Sequence, residues 1–267
     1  MDRQRAKGER FRALHEGDPF VIPNPWDAGS SRVFAALGFQ ALATTSSGFA
    51  YSLGRVDGDM TLDEVVAHAA DLDQATGLPV SVDLENAYGH APEDAARAIT
   101  AVADAGAVGG SIEDWDRESR LYPLDEAVAR VAAAVEAARA LPFTFTLTAR
   151  SENHIRGNPD LDDTIARLQA FEAAGADVLY APGLATVEEI QRVCDAVTRP
   201  VNVLARPDLT FADIVGAGAQ RVSVGGSLTW TAVDALVTAA EAIRDRGDFS
   251  ALRPAPPCAT GLPSPRV

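Results

Sequence analysis

Acids and one arginine close three successive β-rich runs of this 267-residue chain. "SVDLE" (81–85) ends on Asp83 and Glu85, "SIED" (111–114) on Glu113 and Asp114, and "FTFTLTAR" (143–150) on Arg150. Asp83 and Glu85 lie two residues apart, so on a continuous strand both carboxylates point to one face. Two like charges there repel, and each is costly to bury alone. They call for full hydration or for a cation. The loop "SLGRVDGDM" adds Asp57. No Cys or His stands at ligand spacing among these acids, so the all-oxygen set suits a hard cation, Mg²⁺ or Mn²⁺, rather than zinc. Because Mg²⁺ retains waters, one or two of the carboxylates suffice as direct ligands. Taken singly, each acid reads equally well as a helix cap or a solvated loop residue. In "FTFTLTAR", Thr144, Thr146, Thr148 and Arg150 share one strand face, and Phe143, Phe145 and Leu147 share the other. Packing of the aromatic face sends Arg150 inward, where its planar fork suits a substrate carboxylate. The turn "SSGF" (46–49) can present successive backbone N–H groups to an anion.

These residues need a frame that brings strand ends together. β-rich runs recur at 20–24, 41–46, 79–85, 108–114, 143–150, 177–183, 200–205 and 221–227. Between them lie segments with three- and four-residue apolar spacing, such as 61–77, 92–106, 124–141 and 160–175. They open on Thr, Asp or Pro, and several close on Gly, as helix caps require. Eight strands each followed by a helix give a (β/α)8 TIM-type barrel, whose active site lies at the C-terminal ends of the strands. An open doubly wound sheet is the alternative, but the first strand runs into "PNPWDAGSS" without a glycine fingerprint. The expected organisation is one barrel domain over 1–252 with an N-terminal helical segment, then a Pro-rich tail over 253–267.

Net charge of −15 argues against nucleic acid or an anionic membrane as partner. Lys7 is the sole lysine and sits in a polar N-terminal segment, which disfavours Schiff-base, pyridoxal-phosphate and P-loop chemistry. Cys194 and Cys258 fit no metal spacing, and Cys194 falls on an apolar helical face as a structural thiol. No run approaches a membrane span or a signal-peptide core, so a cytoplasmic location is expected.

The order "TTSSGF…LGRVDGD", "DLENAYG", "SIED", "TAR", "GADVLYAPG" resembles the isocitrate lyase/phosphoenolpyruvate mutase superfamily over about residues 20–245. The resemblance implies a barrel that exchanges its last helix between subunits of a homodimer or homotetramer. It also implies Mg²⁺-dependent cleavage or formation of C–C or P–C bonds in 2-oxo or 2-hydroxy acids. Position by position, it puts the principal Mg²⁺ ligand on Asp83 and a carboxylate holding the metal's waters on Glu85, with Asp57 and Glu113 completing the acidic set. Ser47, Gly48 and Phe49 match the element that holds a substrate carboxylate, and Arg150 the arginine after strand 5. The chain departs from the family where lyases carry a K-[KR]-C-G-H run: here the loop reads "WDRESRLYPLDE". It also lacks the lysine and asparagine of the C–P enzymes' loop. The resulting expectation is a Mg²⁺-dependent lyase or decarboxylase acting on small di- or tricarboxylic acids through an enolate, with Arg150, Glu113 and Asp57 as its catalytic residues. Loss of CO₂ needs no general acid, which suits the stripped loop. Retro-aldol cleavage needs a base, for which Tyr51, His90, Glu113 and His154 are candidates. The alternatives are phosphonopyruvate hydrolase or phosphoenolpyruvate mutase-like C–P chemistry, and a 2-oxo acid binding protein without turnover.

Overall fold

A computed structural model describes residues 2–116, 118 and 120–260. Helix α1 (Asp2–Glu16) precedes eight parallel strands: β1 (Phe20–Ile22), β2 (Leu42–Ala43), β3 (Val80–Asp83), β4 (Gly109–Glu113), β5 (Thr146–Arg150), β6 (Val178–Tyr180), β7 (Val201–Leu204) and β8 (Arg221–Ser223). They are ordered β1-β8-β7-β6-β5-β4-β3-β2, and Ala43 N donates to Pro23 O at 3.1 Å to join the two ends of the sheet. This is the expected (β/α)8 barrel. All eight β-rich runs contain a strand, but each strand is shorter than its run: most leave the ladder at the C-terminal rim, whereas β5 joins it late, at Thr146.

The helices are α2 (Ala28–Ala36), α3 (Ser46–Ser52), α4 (Leu62–Ala75), α5 (Pro92–Asp104), α6 (Leu124–Ala140), α7 (Leu161–Ala173), α8 (Val187–Ala196), α9 (Phe211–Gly216), α10 (Ser227–Arg246) and α11 (Pro257–Thr260). Their starts are chemically marked: Thr61, Thr186 and Thr210 close capping boxes with Glu64, Glu189 and Asp213, satisfying N–H groups the helix leaves free. Outward-facing Val82, Leu147, Leu179 and Val203 pack against α4–α8 side chains such as Leu72, Ile99, Val131, Leu168 and Ile190 in the main core. The alternation expected for residues 145–150 holds, with Phe145 and Leu147 in that core and Thr148 inside the barrel; Thr144 and Phe143 precede the strand.

α1 seals the N-terminal end of the barrel. Phe11 is fully buried beside Gly109, where a Cβ would come within 2.6 Å of its ring. Lys7 is buried there too, with Nζ 2.5 Å from Asp73 Oδ1, so the one lysine is a strut of the floor. α10 differs from the other barrel helices. Only Thr229 and Ala242 are buried over its length, and Trp230, Leu236 and Val237 are exposed. The Pro-rich tail contains α11, packed near α2, and its residues 261–267 lie outside the described residues. Among the described residues no helix is long and apolar enough to cross a membrane.

Candidate active site

The β3 strand stops at Asp83, and Glu85, Ala87 and Tyr88 follow in the left-handed region at φ 48°, 61° and 58°. Asp83 and Glu85 therefore do not share a strand face, because the chain turns between them. Left-handed non-glycine residues cost about 1–3 kcal/mol each and persist only where their surroundings impose them. Those surroundings are specific. Buried Arg130 of α6 donates to Asn86 O, and to Ala91 O at 3.3 Å. The Tyr122 hydroxyl receives Asn86 Nδ2 at 3.3 Å and pairs with His90 Nδ1 at 3.0 Å. Tyr88 Oη donates to Glu85 Oε1 at 3.0 Å, and Glu85 N to Asp83 Oδ1 at 3.3 Å. The turn leaves Asp83 in the lumen and lifts Glu85 to the rim.

Two adjoining cavities result. A cleft of about 360 Å³ at the C-terminal mouth is lined by Asp57, Glu85, Glu113, Arg150 and Arg156, with Ser46, Asn86 and Trp115. Below it, a lumen cavity of about 60 Å³ is lined by Asp83, Ser111, Arg150, Tyr180, Asn202 and Arg221, among others. Arg150 belongs to both. Its guanidinium lies 3.4 Å from Glu113 and 3.9 Å from Asp83, and Nε bonds Glu152. Arg156 Nε reaches Glu152 at 2.8 Å, one of its terminal nitrogens is 3.7 Å from Glu113, and its guanidinium sits over the Trp115 ring at 5.0 Å.

Burial pushes the Glu113 carboxyl well above the usual carboxylate range, and the charges of Glu152 and Asp83 add to the rise against Arg150. Burial likewise raises Asp57; its hydrogen bond with Ser46 opposes this and Asp83 adds to it. Burial alone would lower Arg150, but Glu152, Glu113 and Asp83 carry it further up, so it stays a cation. The mouth thus gathers more carboxylates than its two arginines offset. Among the described residues, no three His, Cys, Asp or Glu side chains come together as a metal-holding group. The four expected acids are instead divided between the cavities, Asp83 below and Asp57, Glu85 and Glu113 above. An oxygen-only donor set, two of whose carboxyls are raised by burial and by Asp83, fits a hard, largely hydrated cation.

The other expected residues part company. Ser47 Oγ lies 3.2 Å from Thr45 Oγ1 at the start of α3, and a Cβ on Gly226 would meet it at 2.6 Å, so Ser47 faces the loop after β8. Gly48 N is taken by the Thr45 cap at 3.4 Å, and a Cβ at Gly48 would strike Thr229 Oγ1 at 2.6 Å. Phe49 stacks on His68 at 3.8 Å behind the mouth. "SSGF" is thus the first turn of a capped helix. Of the candidate bases, only Glu113 lines the cleft. Tyr51 packs edge-on to Trp230, His90 is bound to Tyr122, and His154 lies beside Glu189 of α8. Asp114 is a strut that accepts Glu152 N at 2.7 Å and Arg167 at 3.1 Å. Cys194 lies on α8, with its thiol pushed up to about 12 by burial, and neither cysteine lines the mouth.

Sequence reasoning missed Glu152, Arg156, Tyr180, Asn202 and Arg221. The available signal was polar residues at inward positions of otherwise apolar strands, as in "PVNVLA" and "QRVSV".

Residues 11–244 match the phosphoenolpyruvate phosphomutase family. A Burkholderia cenocepacia J2315 crystal structure, described provisionally as a lyase/mutase, is 51% identical with a TM-score of 0.93, over 96% of this chain and 94% of that one. An uncharacterized Mycobacterium tuberculosis protein is 34% identical over 86% of this chain and 87% of its own length. The oxaloacetate decarboxylase of Bradyrhizobium diazoefficiens is 30% identical over 83% and 79% respectively.

Proposed function

Since the chain belongs to the phosphoenolpyruvate phosphomutase family, in the isocitrate lyase/phosphoenolpyruvate mutase superfamily, we propose that it is a divalent-cation-dependent carbon–carbon lyase. Its substrates are small 2-oxo or 2-hydroxy di- or tricarboxylic acids, and decarboxylation of an oxaloacetate-type acid is the leading reaction. The observation that carries this reading is the meeting of Asp57, Glu85, Glu113 and Arg150 in one cleft directly above Asp83, with no thiol at the mouth. The similarity to oxaloacetate decarboxylases supports it.

Asp83 would hold Mg²⁺ directly, with Glu85, Asp57 and Glu113 holding its waters. When bound, the cation supplies Lewis acidity at the 2-oxygen of the substrate. Arg150, kept cationic and fixed by Glu152, faces the same space and stabilises negative charge as it develops on that oxygen. Glu152 and Glu113 hold the fork in place so that little reorganisation accompanies the step. CO₂ leaves without a proton, so the cysteine-free loop is no obstacle. A homodimer or homotetramer and a cytoplasmic location belong to the same proposal. The apolar face of α10, carrying Leu236 and Val237, fits burial against a second copy.

The test is a substrate panel of oxaloacetate, methylisocitrate and phosphonopyruvate with and without EDTA, beside Asp83→Ala. Expected is EDTA-sensitive turnover of a carbon acid that the variant loses. Turnover of phosphonopyruvate alone would move the protein to C–P chemistry. Tight ligand binding with no turnover of any acid would make it a binding protein.

A further inference from the structure

Arg221 is a buried guanidinium with no carboxylate partner among the described residues. It sits at the start of β8, where Nε donates to Asn202 Oδ1 at 2.8 Å and a terminal nitrogen to Thr148 Oγ1 at 3.0 Å. The other terminal nitrogen meets His15 Nε2 at 3.2 Å. His15 Nδ1 lies 2.9 Å from Phe11 O and must donate to it, so Nε2 accepts and His15 is neutral. An unpaired buried cation is costly, so its surroundings merit a reason.

A guanidinium can only donate, which fixes the direction of everything beyond it. Asn202 turns its oxygen to Arg221, so its amide nitrogen donates to Ser223 Oγ at 2.9 Å. Ser223 then has its own proton free to turn toward Tyr180, which lines the same cavity. That leaves the phenolic proton of Tyr180 to point into the lumen cavity it shares with Asp83, Ser111 and Arg150. The Arg150 guanidinium lies over the Tyr180 ring at 5.2 Å. The other hydroxyls lining this cavity belong to Ser and Thr, which are far weaker acids than a phenol.

We propose that Tyr180 donates the proton that quenches the enolate carbon, and that the directed chain Arg221–Asn202–Ser223 stabilises the phenolate left behind. This rests on the decarboxylase reading given above. Once the bond from C3 to the departing carboxylate breaks and CO₂ leaves, the enolate's electron pair at C3 takes the Tyr180 proton to form a C–H bond. Solvent returns the proton to Tyr180 as product leaves, so each CO₂ released consumes one proton. Burial raises the Tyr180 hydroxyl above its ordinary value, so it is protonated and ready at neutral pH.

The experiment is decarboxylation of 3-methyl-2-oxobutanedioate by the Mg²⁺-loaded enzyme in D₂O. The 2-oxobutanoate formed is trapped at once by NADH and lactate dehydrogenase, and deuterium NMR locates the label at C3. The natural enzyme is expected to place deuterium in one diastereotopic position. Tyr180→Phe is expected to turn over more slowly and to scatter the label equally over both. Ser223→Ala, which keeps the phenol but loses its anchor, should scatter it in part. Single-position labelling retained in both variants overturns the assignment, as does equal labelling by the natural enzyme. If the natural enzyme releases no CO₂ from 3-methyl-2-oxobutanedioate or oxaloacetate, the decarboxylase reading fails and this assignment with it.

Discussion

The two ends of this barrel handle charge in opposite ways. At the floor, Lys7 is paired with Asp73, and Phe11 is fully buried against the start of β4. At the mouth, Asp57, Glu85 and Glu113 share an open cleft with Arg150 and Arg156, and Asp57 and Glu113 are raised by burial and by the charge of Asp83. Satisfied polar groups with a dry apolar plug are what stability needs. An accessible excess of one sign is what a site for a cation and an anionic substrate needs. The contrast implies that floor substitutions act on folding and mouth substitutions on turnover.

The largest expected effect tests the floor. Phe11 is fully buried in the small cluster with Phe20, Ile22, Ala41 and Val108. Phe11→Ala should lower unfolding free energy by about 3–5 kcal/mol, read from urea denaturation, while kcat at a temperature where the variant is folded stays as it was. A fall in kcat without a fall in stability would erase the division.

The mouth counterpart is Arg150→Lys. A lysine keeps the positive charge, so Glu113 and Glu152 are not left with an uncompensated neighbour, but the fork that grips two directions is lost. Activity should fall ~10²–10³-fold, about 2.7–4 kcal/mol in the barrier, with the urea midpoint nearly unmoved. Steady-state kinetics beside the same denaturation curve separates the outcomes.

Much of this division was legible in the sequence, and the reasons are local. Strand-end acids and Arg150 stand out because ionisable residues follow apolar runs, and barrel topology then brings their loops together. The strand rule failed at Glu85. Alternation assumes an extended chain, whereas Arg130, Tyr122 and Asn86 hold the residues after Asp83 in a left-handed turn. Tyr122 and Arg130 lie 36 and 44 residues beyond Asn86, outside any local pattern. The form of "SSGF" was hidden for a related reason: Thr45 caps a helix there, which engages the Gly48 N–H and turns Phe49 onto His68. The Arg221–Asn202–Ser223 chain is invisible without the register that sets β7 beside β8.

A smaller effect asks whether the two ends respond alike to acid. Burial holds His15 at the floor down at about 3 and His68 behind the mouth at about 4. Below about pH 6.5 the unfolded chain binds protons that neither folded histidine accepts, so the stability present above that pH is lost as pH falls toward the folded values. At pH 5 the loss is about 2 kcal/mol for each. His68→Leu should remove its share, since His68 Nε2 has no hydrogen-bond partner among the described residues to forfeit. Urea midpoints at pH 7 and pH 5 measure it. Equal pH dependence in variant and natural protein would show that His68 is protonated when folded.

The smallest effect separates strain from rigidity within the mouth. Ala87 is fully buried at φ 61°, a conformation glycine adopts freely. Ala87→Gly relieves about 1–2 kcal/mol of left-handed strain. It also gives up about 0.8 kcal/mol of methyl burial and about 0.4–1 kcal/mol through a more flexible unfolded chain. These terms nearly cancel, so the unfolding free energy should change by less than about 1 kcal/mol. The site should notice nonetheless. Glu85 is aimed by this turn, and a glycine lets the turn sample other conformations, so Mn²⁺ binding measured calorimetrically should weaken while stability stays level. If binding is unchanged, the bonds from Tyr88 to Glu85 and from Arg130 to Asn86 fix the turn by themselves, and the alanine adds nothing to the mouth's preorganisation.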